Sequence, residues 1–178
     1  MEHRCIFAGF GGQGVISMGT LLAHAGMVEG RQVTFFPSYG IAMRGGMANC
    51  TVVVSDDEIG TPIVKDPTVV VAMDEASFDL FQGRLSAGGL LFVNASLVNK
   101  RNSRPDIKAV YVNATEIALK QGDGRMANMV MLGAVIKLTR MVSIEAVEKA
   151  MHKTFPQKLQ PLIGRNLQVM KLGFEAAQ

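Results

Sequence analysis

A glycine-rich turn near the start of the chain constrains the fold more than any other feature. Residues 9–14 are GFGGQG, which fits the pattern G-x-G-x-x-G. A short apolar run over residues 4–8 comes before the turn, and apolar residues recur at helical spacing over residues 15–28 after it. A strand, a glycine turn and a helix in this order are typical of an α/β domain in which the backbone approaches an anion at the helix N-terminus.

Strand and helix patterns alternate along the middle of the chain, and the last third is helical. Such alternation predicts a mostly parallel sheet with helices on both faces. We expect Pro37 to stop the second strand and the stretch 48–61 to add an antiparallel strand. The length of 178 residues predicts one domain, 1–178, with a three-layer, Rossmann-like α/β fold and a helical C-terminal part. Strands are predicted over residues 32–36, 48–55, 68–73, 90–93 and 108–113, and later helices over 75–85, 115–120, 127–141, 143–153 and 158–177.

Composition and charge exclude several classes of protein. Apolar residues make up 48% of the chain and charged residues 19%, so disorder is not expected. The net charge is +3 without a long basic run, so we expect no nucleic acid partner. No apolar run approaches the ~18 residues of a membrane helix. The two cysteines, Cys5 and Cys50, are too few for an iron–sulfur cluster or a structural zinc site, and they favour a reducing, cytoplasmic location.

No catalytic set of side chains is recognisable in the sequence. His3, His24 and His152 lack cysteine or aspartate partners at ligand spacing, so we predict no metal site. Residues 122–124, Gly-Asp-Gly, resemble the start of a thiamine diphosphate motif, but a helix pattern precedes them and residues 149–156 contain no asparagine. We therefore interpret residues 122–124 as a turn between helices and predict no catalytic residue.

Residues 38–46, SYGIAMRGG, form a second glycine-containing segment. An arginine next to glycines has room to place its planar guanidinium on a carboxylate or phosphate through two hydrogen bonds. The segment follows the second predicted strand, so we expect it at the same sheet edge as the glycine turn. Arg44 is therefore the candidate anion-binding residue.

A dinucleotide is one candidate ligand for the glycine turn. In dinucleotide-binding folds an acidic residue about 20 residues further on holds the ribose. Here residues 35–38 are FFPS, and Glu29 falls before the second strand. NADP stays open because Arg44 could reach its 2′-phosphate, so a free-standing NADP-binding oxidoreductase is the alternative function. A scaffold whose glycines serve only close packing is a third hypothesis.

The two glycine-containing segments, in this order, resemble the gamma subunits or gamma domains of 2-oxoacid:ferredoxin oxidoreductases. The resemblance lies in GFGGQGVISMGTLLAHA followed by PSYGIAMRGGMANCTVVVS, and in NMVMLG from Asn128 onward. It covers about residues 4–140. Ile41 stands where this family often has proline.

The resemblance implies an accessory subunit, inactive alone, of an enzyme that converts a 2-oxoacid and coenzyme A to acyl-CoA, CO2 and reduced ferredoxin. Thiamine diphosphate, magnesium and iron–sulfur clusters would sit on alpha and beta partner subunits, with or without a delta subunit, and none on this chain. The resemblance favours 2-oxoglutarate as the substrate, and it leaves pyruvate and branched-chain oxoacids open. The residues implied to face coenzyme A and thiamine are Gly9, Gly11, Gly12, Gln13, Gly14, Ser38, Tyr39, Gly40, Arg44, Gly45, Gly46 and Asn128.

Overall fold

The computed structural model describes residues 1–39 and 46–178, and within them the strands form one six-stranded sheet. The strands are β1 Glu2–Phe10, β2 Gln32–Tyr39, β3 Met47–Ser55, β4 Val69–Ala72, β5 Leu90–Asn94 and β6 Lys108–Val112. Their order across the sheet is β2-β3-β1-β4-β5-β6. Strands β1, β4, β5 and β6 pair in parallel, whereas β3 runs antiparallel between β1 and β2. The predicted mostly parallel sheet is confirmed, and β3 is its antiparallel strand.

Helices cover the two faces of the sheet unequally. One face carries a large apolar core shared with α1, α4, α5 and α6, while α2 packs on the other face through Phe78 and Phe81. Alternation along β1 divides its side chains between these two cores, as the pleat of a strand requires. In the part of the chain that the structure describes, no helix has the length and apolar character to cross a membrane. The helices are α1 Val15–Val28, α2 Glu75–Gln82, α3 Ala114–Lys120, α4 Ala127–Thr139, α5 Ile144–Thr154 and α6 Ile163–Ala176, with short 3-10 helices at Gly124–Met126 and Gln157–Leu162.

The prediction that Pro37 ends the second strand was wrong. Strand β2 continues to Tyr39, with Pro37 opposite Cys50 and Tyr39 opposite Ala48. Within the described residues β2 pairs only with β3, and an edge strand tolerates proline because the missing N–H can face away from its single neighbour. The second segment therefore begins two residues later than predicted, since Ser38 and Tyr39 belong to the strand.

Helices α4 and α6 cross with their backbones in contact. A Cβ added at Gly133 would overlap the carbonyl oxygen of Met170 and lie 2.9 Å from its carbonyl carbon. A Cβ added at Gly173 would overlap the carbonyl oxygen of Val130 and lie 2.7 Å from its Cα. Each helix thus presents a glycine to the main chain of the other, so both positions exclude any side chain.

We expect Gly133→Ala and Gly173→Ala each to lower the free energy of unfolding by about 1–3 kcal/mol or more, because the added methyl group forces the helices apart. Urea unfolding of the full chain measures this. Gly164→Ala on α6 is the matched control, since no described atom lies within 4 Å of its added Cβ. That control should leave stability unchanged or raise it by about 0.5–1 kcal/mol. Equal changes in the free energy of unfolding at all three positions would contradict the close backbone contact between α4 and α6.

The cysteines Cys5 and Cys50 are buried free thiols on the paired strands β1 and β3. Burial raises the pKa of Cys5, and it raises the pKa of Cys50 to about 12. The Cys50 thiol donates to the backbone carbonyl of Val15 at 3.4 Å. A thiol held protonated in an apolar core is a poor nucleophile and a poor metal ligand, so both cysteines serve packing.

We expect neither thiol to react with a disulfide reagent at pH 8 in the folded chain, and both to react after denaturation. The raised folded pKa also links stability to pH. Above pH ~8.5 the unfolded thiols release protons that the folded chain retains, so stability should fall as pH rises toward 12. Urea midpoints of the wild type and of a Cys5→Ala, Cys50→Ala variant check this, because the variant should lose that part of the slope.

Candidate functional site

The glycine turn joins the C-terminal end of β1 to the start of α1. Strand β1 extends through Gly9, which lies opposite Ala48 of β3, to Phe10. Gly12 then has φ +103, and Gly14, the N-cap of α1, has φ +72. Both angles lie in the left-handed region that residues with a Cβ rarely adopt, so the turn requires glycine at these two bends. It leaves the N-terminus of a 14-residue helix facing the sheet edge.

Gln13 fixes the turn through its side chain. Its Oε1 accepts a hydrogen bond from the backbone N–H of Phe10 at 2.7 Å, and its Nε2 donates to the carbonyl of Met73 at 3.4 Å. Met73 directly follows β4, the neighbour of β1. Since a Cβ at Gly9 would overlap Gln13 Oε1, the small size of Gly9 makes room for this amide. Gln13 thus ties the turn to the adjacent strand.

Asn128, in the first turn of α4, holds the other end of the turn. It is 8% exposed, and its Nδ2 donates to the carbonyl of Gly14 at 3.3 Å. A Cβ at Gly14 would overlap that Nδ2 and lie 2.9 Å from the amide carbon. The structure therefore brings together two site residues that the sequence separates by more than a hundred positions.

The second segment approaches the turn at its described end. The N–H of Gly11 donates to the carbonyl of Gly46 at 2.9 Å. Tyr39 and Gly9 both lie opposite Ala48 in register, on either side of β3, so the end of β2 lies at the same sheet edge as the turn. Ser38 precedes it on β2. The remaining candidates of this segment, Gly40, Arg44 and Gly45, lie outside the described residues.

Asn94 is a site residue that the sequence analysis missed. It ends β5, is fully buried, and donates from Nδ2 to the carbonyl of Met73 at 3.3 Å and to Thr115 Oγ1 at 2.9 Å. Its Oδ1 accepts from the backbone N–H of Thr115 at 3.3 Å. The Met73 carbonyl thus accepts hydrogen bonds from both Gln13 and Asn94. An amide at the end of a buried strand was the signal that could have indicated this role.

Two cavities flank the glycine turn. The smaller, about 180 Å³, is lined by Gly12 and Gln13 on one side and by Leu97 and Thr115 on the other. The larger, about 480 Å³, extends from Gly14 between α1 and the segment that precedes α6. Its walls include the apolar side chains Leu21, Met126, Met129, Phe155, Leu159 and Leu162, and its polar lining includes Asp123, Arg125, Asn128, Arg165 and Asn166.

The turn predicted at residues 122–124 is present, and it carries an ion pair. Asp123 caps the 3-10 helix Gly124–Met126 by accepting from the backbone N–H of Arg125 at 3.0 Å. Hydrogen bonds from the Arg125 guanidinium lower the pKa of Asp123 to about 2, so this carboxylate stays ionised at neutral pH. Arg165 reinforces the turn by donating to the carbonyl of Gln121 at 2.6 Å.

The remaining candidate groups take part in structural contacts. Glu29, considered above for ribose binding, accepts hydrogen bonds from the backbone N–H and hydroxyl of Ser143. It caps α1 at the end opposite Gly14, about 20 Å away for a helix of this length. His152 pairs with Gln160 at 3.1 Å. Among the described residues no group of three or more His, Cys, Asp or Glu side chains is arranged to hold a metal ion.

Comparisons with known proteins find relatives along nearly the whole chain. Residues 4–176 match the family described as pyruvate ferredoxin/flavodoxin oxidoreductase. The ketoisovalerate oxidoreductase subunit VorA of Methanothermobacter thermautotrophicus is 38% identical over 178 residues, which are 99% of this chain and 37% of VorA. The chain thus spans little more than a third of that relative.

Other relatives match this chain in length. The 2-oxoglutarate synthase subunit KorC of Methanocaldococcus jannaschii is 32% identical over 181 residues, covering 100% of this chain and 95% of KorC. The crystal structure of a keto/oxoacid ferredoxin oxidoreductase gamma subunit from Geobacter sulfurreducens superposes with a TM-score of 0.84 at 29% identity. That superposition covers 100% of this chain and 99% of the gamma subunit.

We expect Gly14→Ala to lower the free energy of unfolding by two separable amounts. The left-handed backbone at Gly14 accounts for about 1–2 kcal/mol, and displacement of the Asn128 amide adds to it. In an Asn128→Ala background only the backbone part should remain, so a double-mutant cycle measured by urea unfolding should give a coupling free energy. Gly12→Ala is the control, because it has the same handedness and no described atom within 4 Å of its added Cβ. Additive effects of Gly14→Ala and Asn128→Ala would contradict the contact.

Proposed function

Because the chain belongs to the pyruvate ferredoxin/flavodoxin oxidoreductase family, we propose that it is the gamma-type component of a 2-oxoacid:ferredoxin oxidoreductase. The proposed enzyme converts a 2-oxoacid and coenzyme A to acyl-CoA, CO2 and reduced ferredoxin. The observation that carries the proposal is the family match over residues 4–176, which includes the glycine turn and Asn128. It is supported by the similarity in length and fold to a gamma subunit.

In this proposal the redox chemistry belongs to partner subunits. Alpha and beta subunits, with or without a delta subunit, hold thiamine diphosphate, magnesium and the iron–sulfur clusters, and ferredoxin is the electron acceptor. The two cysteines support this division, since both are buried in the core with raised pKa values and cannot ligate a cluster. Their unbridged thiols also support a cytoplasmic location. We treat residues 1–178 as one domain, built on the single sheet described above.

The role proposed for this chain is to receive coenzyme A at the glycine turn. The exposed backbone of Gly11 and Gly12 lets a phosphate come close, and the N-terminus of α1 places a partial positive charge there. No described atom occupies the space beside Gly12 that a side chain would fill. Gln13 and Asn128 hold the turn in place. The second segment, residues 38–46 with Arg44, is proposed to complete the anion site from the neighbouring hairpin.

The identity of the 2-oxoacid is a separate part of the proposal. One relative is named for ketoisovalerate and another for 2-oxoglutarate, so the relatives support the substrate class. The length-matched KorC supports 2-oxoglutarate, which we propose as the first acid to test. The NADP alternative is not favoured, because the family match supports the oxoacid function and Glu29 is engaged far from the turn.

We expect the isolated chain to reduce no viologen dye, whereas the complex captured with it from native cells reduces the dye when both a 2-oxoacid and coenzyme A are present. The physical reason is that this chain supplies neither the thiamine nor a cluster. A panel of 2-oxoglutarate, pyruvate and branched-chain oxoacids identifies the substrate. Thermal-shift measurements with NADP on the isolated chain are the control, and no shift is expected. Dye reduction by the chain alone, or a complex indifferent to coenzyme A, would refute the proposal.

A further inference from the structure

Arg125 lies between the two cavities that flank the glycine turn. It lines the smaller cavity together with Gly12 and Gln13, and the larger one together with Gly14 and Asn128. Among the described residues it is the one side chain common to both linings. A ligand that occupied both cavities would therefore lie against its guanidinium, which is open to solvent because the side chain is 86% exposed.

Asp123 orients this guanidinium through side-chain hydrogen bonds. Its Oδ1 accepts from Arg125 Nε at 3.0 Å and its Oδ2 accepts from Nη2 at 2.8 Å. Two parallel hydrogen bonds fix the plane of the fork, and the carboxylate that receives them is itself anchored as the cap of the 3-10 helix Gly124–Met126. Among the described residues, the hydrogen bonds of the Arg125 side chain use Nε and Nη2, so the Nη1 donors remain open to a ligand.

The larger cavity has the features of a site for a molecule that is both anionic and apolar. Its wall is formed by apolar side chains from α1, from α4 and from the segment preceding α6. Arg165 on the rim adds a second guanidinium, held by its bond to the carbonyl of Gln121. Because Asp123 offsets the charge of Arg125, Arg165 supplies the net positive charge while Arg125 supplies oriented donors. A concave apolar site with a few fixed polar groups suits a small-molecule ligand.

We propose that Arg125 is a binding residue for a phosphate of coenzyme A, that Asp123 is its positioning residue, and that the larger cavity receives the adenine end of the molecule. This inference rests on the proposed function and adds residues to it, since neither Arg125 nor Asp123 belongs to the two glycine-containing segments. The phosphate meets the Nη1 donors of Arg125 beside the glycine turn. The flat base packs among Leu159, Leu162 and Met129 in the larger cavity.

The test compares variants in the assembled complex. Arg125→Ala should raise the KM for coenzyme A roughly ten- to hundredfold, the range of one hydrogen bond to a charged group, with kcat at saturating coenzyme A kept within about twofold. Arg125→Lys should recover part of the loss, because it keeps the charge without the fork. Asp123→Asn should raise KM by less than Arg125→Ala. Arg101→Ala is the matched control, since this arginine stacks on Tyr111 of β6 at 4.5 Å and should leave KM unchanged.

Two further measurements separate binding from a structural role. The dependence of KM on salt concentration should flatten in Arg125→Ala, because a charged contact has been removed. Dephospho-coenzyme A, which lacks the 3′-phosphate, is compared with coenzyme A as the substrate to locate the contact. If Arg125→Ala removes the difference in KM between the two compounds, Arg125 binds the 3′-phosphate. If Arg125→Ala raises both KM values equally, Arg125 binds the pyrophosphate. Either result supports the inference.

An unchanged KM in Arg125→Ala, or altered subunit stoichiometry without a change in KM, would overturn the inference while leaving the proposed function intact. If instead the wild-type complex shows no activity dependent on coenzyme A, the proposed function itself fails. Calorimetric titration of the full isolated chain with coenzyme A then decides the inference independently. Weaker binding by Arg125→Ala than by wild type supports it, and equal or absent binding by both rejects it.

Discussion

The sheet edge that carries the glycine turn depends on the carbonyl oxygen of Met73. This one acceptor, in the residue that follows β4, receives the amide of Gln13 from the turn after β1 and the amide of Asn94 from the end of β5. A carbonyl oxygen has two lone pairs, and here both are used. One carbonyl oxygen next to the central strand β4 therefore helps to position both the glycine turn after β1 and, through Asn94, the start of α3. Buried amide networks in which each member is satisfied hold their groups in one arrangement.

Helix α4 connects this edge to the helical layer. Asn128 at its start contacts the glycine turn, and Gly133, little more than one turn further on, lies against the backbone of α6. The helix cannot slide along its axis without breaking one of these contacts. The packing of two helices thus sets where the Asn128 amide meets the turn.

The sequence predicts the features that depend on local patterns. Strand β1, the glycine turn and α1 follow from apolar spacing and from backbone angles that glycine alone adopts freely, so their prediction needs no knowledge of distant residues. The predicted end of β2 was wrong because the effect of Pro37 depends on whether its strand has one neighbour or two. The number of neighbours is a property of the whole sheet. Arg125 and Asn94 were missed for a similar reason. Each stands outside any recognisable motif, and each acquires its position only when segments far apart in the chain meet at the sheet edge.

The antiparallel strand β3 has a consequence for how proteins built on this plan can diversify. Because β2 and β3 form a hairpin, with eight paired positions between Gln32 and Tyr39 on one arm, their paired arms make a ribbon that ends beside the glycine turn. A parallel crossover would have to return across the whole sheet, whereas a hairpin connection can lengthen or shorten by a few residues without disturbing the register of either strand. The length and composition of this connection can therefore change in evolution while the glycine turn stays fixed. The same sheet edge thus combines a connection whose length can vary with a turn whose backbone angles require glycine.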